Sequence, residues 1–160
     1  SEMCIRDSVK THRNVVGLRT FSKAYGLAGV RVGYAFGDKE IIEALNKVAI
    51  PFSVNTVAQV GALHSLAAQD SLRERTDETV RQRERVTEHF AKFGVPSSET
   101  NHIWFPAANI TELGTPQEVA AKLAENGVLV RAFNEGVRIS ITTAEETDVL
   151  LKAWEAAFGA

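Results

Sequence analysis

Lys23 lies in the run Arg19 to Tyr34, R-T-F-S-K-A-Y-G-L-A-G-V-R-V-G-Y, just after the strand-like stretch Val15-Val16-Gly17-Leu18. Hydroxyls precede it at Thr20 and Ser22, and a guanidinium follows at Arg31. Gly26, Gly29 and Gly33 let the backbone turn and pack closely. A free lysine amine is mostly protonated at neutral pH, with a pKa near ~10.4. Condensation with an aldehyde removes that obstacle, because the nitrogen is then committed to carbon. Two hydroxyls and an arginine fork at fixed distances suit a phosphate dianion. The group therefore has the chemistry to hold an aldehyde cofactor covalently and to grip its phosphate.

A second set lies near the C-terminus. In Val137-Arg138-Ile139-Ser140-Ile141 the apolar residues share one strand face, and Arg138 and Ser140 share the other. Such an arginine is either an exposed edge residue or a bidentate carboxylate binder. Arg131, in Val128 to Phe133, is either a solvated cation or a second substrate contact. Tyr25 either lines the lysine site or packs in a core. His12, His64, His89 and His102 are scattered without cysteine partners, so no metal site is expected, and His64 reads as a satisfied core residue.

The elements that position these groups follow from periodicity and caps. Asn14 to Arg19 reads as a buried strand and Val32 to Phe36 as a second short one. Asp38 caps a helix over 39–50, which Pro51 stops. Asn55 or Thr56 caps a second helix to about Gln69; it is apolar nearly all round, which predicts deep burial. Asp70 to Phe93 predicts one long exposed helix with a single break near Thr76, serving to join two domains and ended by Gly94 and Pro96. A small α+β unit follows. It has a strand at His102 to Phe105, a capping box at Thr115-Pro116-Gln117-Glu118, strands at Val128 to Phe133 and Val137 to Ile141, and a second capping-box pattern at Thr143 to Glu146.

Composition narrows the class. The 160 residues carry a net charge of −2, which gives no electrostatic case for nucleic acid or an anionic membrane. No apolar run spans a bilayer. The one cysteine, Cys4, cannot close an internal disulfide, so a reducing cytoplasm is the default. Cys4 and the one methionine, Met3, fall in Met3-Cys4-Ile5-Arg6-Asp7-Ser8, which resembles a translated transposon end; residues 1–8 are expected to be a non-native leader.

The spacing of Thr20, Ser22, Lys23, Gly29, Arg31 and Gly33 resembles the lysine motif of fold-type-I pyridoxal-phosphate-dependent aminotransferases, closest to the histidinol-phosphate and aromatic amino acid group. The resemblance covers Val9 to Ala160 and corresponds to the C-terminal half of such an enzyme. It implies an α/β fold: residues 9–75 as the C-terminal part of a three-layer large domain that binds pyridoxal 5'-phosphate, and residues 76–160 as a small α+β domain including the connecting helix. It implies that Lys23 forms the Schiff base and shuttles the α-proton, with Thr20, Ser22 and Arg31 as further cofactor contacts. Val137 to Ile141 resembles the family's R-I-S/T motif, making Arg138 the α-carboxylate arginine and Arg131 a second substrate arginine. The Arg131 to Arg138 loop is shorter than in the histidinol-phosphate branch, and together with Phe133 and Pro51-Phe52-Ser53-Val54-Asn55 it points to aromatic amino acids.

The same resemblance implies amino acid and 2-oxo acid substrates and a homodimer. Other family cofactor contacts, including an acidic partner of the pyridine nitrogen, have no counterpart among these residues. The isolated chain is therefore expected to be marginally stable and inactive. A decarboxylase of the same fold, or the effector domain of a transcription regulator built on it, is the alternative reading.

Overall fold

A computed structural model describes residues 2–159, with side chains from Cys4 onward. The chain falls into two compact units, one up to Arg73 and one from Glu74.

The first unit opens with α1 (Glu2–Thr11), followed by β1 (Val16–Thr20) and β2 (Gly33–Gly37). The two strands pair antiparallel, with Leu18 opposite Ala35 and Thr20 opposite Gly33. Helix α2 (Lys39–Val48) begins where the Asp38 carboxylate accepts the Glu40 N–H. Arg13 donates to the same carboxylate at 2.8 Å. That ion pair, followed by the cap hydrogen bond, holds the Asp38 pKa below its ordinary value. Helix α3 (Thr56–Ala67) is capped by Asn55, not Thr56, whose side-chain oxygen accepts from Ala58.

Burial corrects three expectations in this unit. β1 is not a buried strand: Leu18 is 70% exposed, since only β2 flanks it. Within α3 only Ala58 and Ala62 are buried, while Leu63 is 69% exposed. The apolar pattern that predicts a deeply buried helix finds too few partner side chains among the described residues. His64 is likewise exposed and not a core histidine.

Helix α4 (Gln69–His89) runs through without the break expected at Thr76. Ion pairs one turn apart, Arg73 with Asp70 and Arg81 with Glu78, decorate its polar face.

In the second unit, β3 (His102–Pro106), β4 (Arg131–Phe133) and β5 (Gly136–Ser140) form an antiparallel sheet in the order β3-β5-β4. β4 is half the length expected from Val128, and Leu129 is 89% exposed. One sheet face carries Ile103, Phe105, Val137 and Ile139, all buried. Helices α5 (Pro116–Glu125) and α6 (Ala144–Phe158) cover it through Val119, Leu123, Leu150 and Trp154, joined by Val86 and Phe90. Arg85 of α4 reaches Asp148 of α6 at 2.6 Å.

The two predicted capping boxes differ. At α5 the box is complete: Thr115 accepts from the Glu118 N–H, and Glu118 accepts from the Thr115 N–H at 2.7 Å. At α6 only the first half forms, because the Glu146 carboxylate takes the neighbouring Thr142 hydroxyl instead.

The α5 cap carries a pH dependence. The Thr115 N–H, and after it the Thr115 hydroxyl, holds the Glu118 carboxyl below the usual range. A carboxyl whose pKa is lowered on folding contributes stability above its unfolded pKa, and loses it as pH falls through the folded value. Denaturant midpoints between pH 7 and pH 3 are expected to drop on the acid side, with a shallower drop in Glu118→Gln. Superimposable profiles would remove Glu118 from the acid-sensitive groups.

Candidate active site

Residues 21–32 link β1 to β2, and backbone bonds pin the loop at both ends. The Phe21 N–H donates to the Val32 carbonyl at 3.3 Å, and the Phe21 carbonyl accepts from the Leu27 N–H at 2.9 Å. Phe21 itself is 4% exposed. Tyr25 and Tyr34 pack on it at ring-centroid distances of 4.9 and 6.0 Å, which gives Tyr25 an anchoring role in this aromatic cluster.

Within the pinned loop the Gly26 N–H donates to the Lys23 carbonyl at 2.8 Å, forming a turn that leaves the Lys23 side chain exposed. The Thr20 hydroxyl accepts the Ser22 N–H at 3.0 Å and keeps its own proton as a donor. Arg31 adopts φ 58, ψ 60, the left-handed region. That conformation costs a non-glycine residue on the order of 1 kcal/mol. Its Nη1 donates to the Ala28 carbonyl at 2.7 Å, and no carboxylate among the described residues pairs with it. Strain at a cation without a counter-ion is a pattern found at binding sites. Gly33 follows two positions later; a Cβ there would stand 2.7 Å from the Arg19 carbonyl oxygen, so β2 can begin this close to β1 only with glycine. The end of β1 and the loop after it thus carry Thr20, Ser22, Lys23 and Arg31: an amine, two hydroxyls and a guanidinium. This donor set fits an aldehyde that also carries a phosphate.

The second unit presents its own constellation. Register places Arg138 directly opposite Arg131 on β4 and opposite Trp104 on β3. Like charges directly opposite repel, so this row is suited to a bound anion. Arg138 Nε is buried and has no acceptor among the described residues. Both guanidiniums stack near Phe133, at 5.1 Å for Arg131 and 5.9 Å for Arg138. The sequence reading had both arginines but missed Trp104 as their neighbour. Alternation along β3 turns Trp104 away from the buried Ile103 and Phe105, but nothing local reveals which strand lies alongside.

Among the described residues no group of three or more potential metal ligands occurs, and no helix is long and apolar enough to cross a membrane.

The family model for aminotransferase class I and II matches residues 2–153, and the chain belongs to that family. An aromatic amino acid aminotransferase of Corynebacterium glutamicum (strain R) is 57% identical over 150 residues, 94% of this chain and 41% of the relative. One from Corynebacterium diphtheriae is 59% identical over 145 residues, covering 91% of this chain and 41% of the relative. The crystal structure of histidinol-phosphate aminotransferase from Sinorhizobium meliloti in complex with pyridoxal-5'-phosphate superposes with TM-score 0.74 at 29% identity, over 91% of this chain and 41% of that one. The chain therefore spans about two-fifths of the curated relatives it matches. The family depends on pyridoxal phosphate, and the mixture of helices and sheets agrees with the α/β class.

Proposed function

We propose that this chain carries part of the machinery of an aminotransferase that moves an amino group between an aromatic amino acid and a 2-oxo acid. The observation that supports the reading is the pinned loop after Thr20, which carries Ser22, Lys23 and the strained Arg31. Residues 9–75 belong, on this reading, to a cofactor-binding large domain and residues 76–160 to a small domain. The working assembly is a cytoplasmic homodimer.

Lys23 Nζ would hold the aldehyde carbon of pyridoxal phosphate, and Thr20, Ser22 and Arg31 would hold its phosphate. When bound, the cofactor supplies an electron sink for negative charge at the substrate's α-carbon. Lys23 Nζ, once released, takes the α-proton and returns it at the end of the transfer. Arg138 orients the substrate α-carboxylate through two parallel hydrogen bonds, with Arg131 beside it. The second reading is a phosphorylated substrate such as histidinol phosphate, because two adjacent guanidiniums also suit a phosphate dianion.

The test is a panel of amino donors given to the complete enzyme loaded with pyridoxal phosphate, with 2-oxo acid products quantified. Phenylalanine and tyrosine are expected to exceed histidinol phosphate by ~10-fold or more in kcat/KM. Preference for the phosphorylated donor would select the second reading. Carbon dioxide release without amino transfer would select a decarboxylase instead.

A further inference from the structure

We infer that Trp104 and Phe133 form the surface that receives the substrate's aromatic ring, beside the arginines that hold its carboxylate. The inference rests on the aminotransferase reading above and adds to it the residues that set side-chain preference.

The sheet of the second unit has two unlike faces. Ile103, Phe105, Val137 and Ile139 face the core. The opposite face carries three transverse rows: His102 with Ser140, then Trp104 with Arg138 and Arg131, then Pro106 with Gly136 and Phe133. Helices α5 and α6 occupy the core side, so this second face owes its aromatic residues to no core.

Gly136 shows where the indole lies. A Cβ on Gly136 would stand 2.7 Å from Trp104 Cζ2 and 2.1 Å from the Phe105 carbonyl oxygen. The indole thus leans out of its own row and across the bare strand at Gly136. There it meets Phe133, at a centroid distance of 5.7 Å with the rings tilted by 57°. Phe133 in turn sits under both guanidiniums. Two cations and two aromatic rings therefore share a few residues of one sheet face. Trp104 and Arg138 also line a shared concavity of about 260 Å³, together with Thr100 and His102.

This pairing matches one class of ligand closely: a carboxylate separated from an aromatic ring by a short aliphatic link. The carboxylate satisfies the arginine row and relieves its mutual repulsion. The ring gains edge or offset contact with Trp104 and Phe133. A short aliphatic carboxylate would use only the arginines.

The test measures binding of two unreactive carboxylates, 3-phenylpropanoate and butanoate, to the complete enzyme loaded with pyridoxal phosphate, by titration calorimetry. Wild type is expected to favour the aromatic acid. Trp104→Ala and Phe133→Leu are each expected to reduce the aromatic-to-aliphatic affinity ratio by ~10-fold, and Trp104→Phe to restore most of it. Circular dichroism of each variant checks that the sheet is retained. If both acids weaken equally in Trp104→Ala and Phe133→Leu, the two side chains merely support the arginines and the inference is wrong. An unchanged ratio in both variants overturns it as well. A wild-type protein that binds neither acid defeats the aminotransferase reading and this inference together, whereas wild-type binding without variant discrimination defeats this inference alone.

Discussion

Lys23→Arg in the complete enzyme is expected to lower amino transfer by at least ~10³-fold, the scale set by losing a positioned acid–base group. The substitution keeps a positive charge and a long side chain. It removes the one property the reaction needs, a nitrogen that can be deprotonated and bonded to carbon, because a guanidinium stays protonated at any physiological pH. Lys23 is exposed in its turn and contributes only its carbonyl to the loop's hydrogen bonds, so the fold is expected to survive the change. Arg31 and the two hydroxyls also remain, so the phosphate grip is retained while the covalent anchor is lost. Borohydride reduction followed by mass spectrometry separates these effects: wild type acquires an adduct on the peptide containing Lys23, and the variant does not. Turnover within ~10-fold of wild type would assign the proton transfer to another group.

Trp154→Ala is the substitution expected to damage folding most, by ~3–5 kcal/mol. Trp154 is 1% exposed and sits at the centre of the second unit's core. Phe90, Phe93, Phe105 and Phe158 surround it at centroid distances of 4.5, 5.5, 5.1 and 4.9 Å. Truncation would leave a cavity that rings from the 90–93 turn, β3 and α6 itself cannot all collapse into. Trp154→Phe is expected to cost far less, within ~1.5 kcal/mol, for a specific reason. The indole Nε1 is buried without an acceptor among the described residues, so replacing it removes an unsatisfied donor along with some packing. Urea unfolding followed by circular dichroism measures both. Equal losses in the two variants would mean that indole shape, and not burial of a ring, holds this core.

Much of the site was legible because it is local. Ser22, Lys23 and Arg31 lie in the one loop that follows Thr20 at the end of β1, so spacing along the chain already bounds how far apart they can stand. The Thr115 to Glu118 box reads directly from four residues, since each partner lies within reach of the other's backbone. Its twin at Thr143 failed by one hydrogen bond, because Thr142 offers Glu146 a closer donor than the cap's own N–H. The alternation of Val137, Arg138 and Ile139 assigned faces correctly, because a strand's side chains must alternate whatever they pack against.

Burial and neighbourhood were not legible in the same way. Helix α3 has the composition of a core helix and yet exposes Val57 and Leu63, because burial belongs to the partners of a segment and not to the segment. The residue order alone determined the lysine loop, the caps and the family, since these depend on groups a few bonds apart. Tertiary structure alone decided that Arg131, Arg138 and Trp104 share one row and that Trp104 leans over Gly136 onto Phe133. Register between distant strands is set by how the whole sheet packs its apolar face, and no short window of sequence encodes that sum.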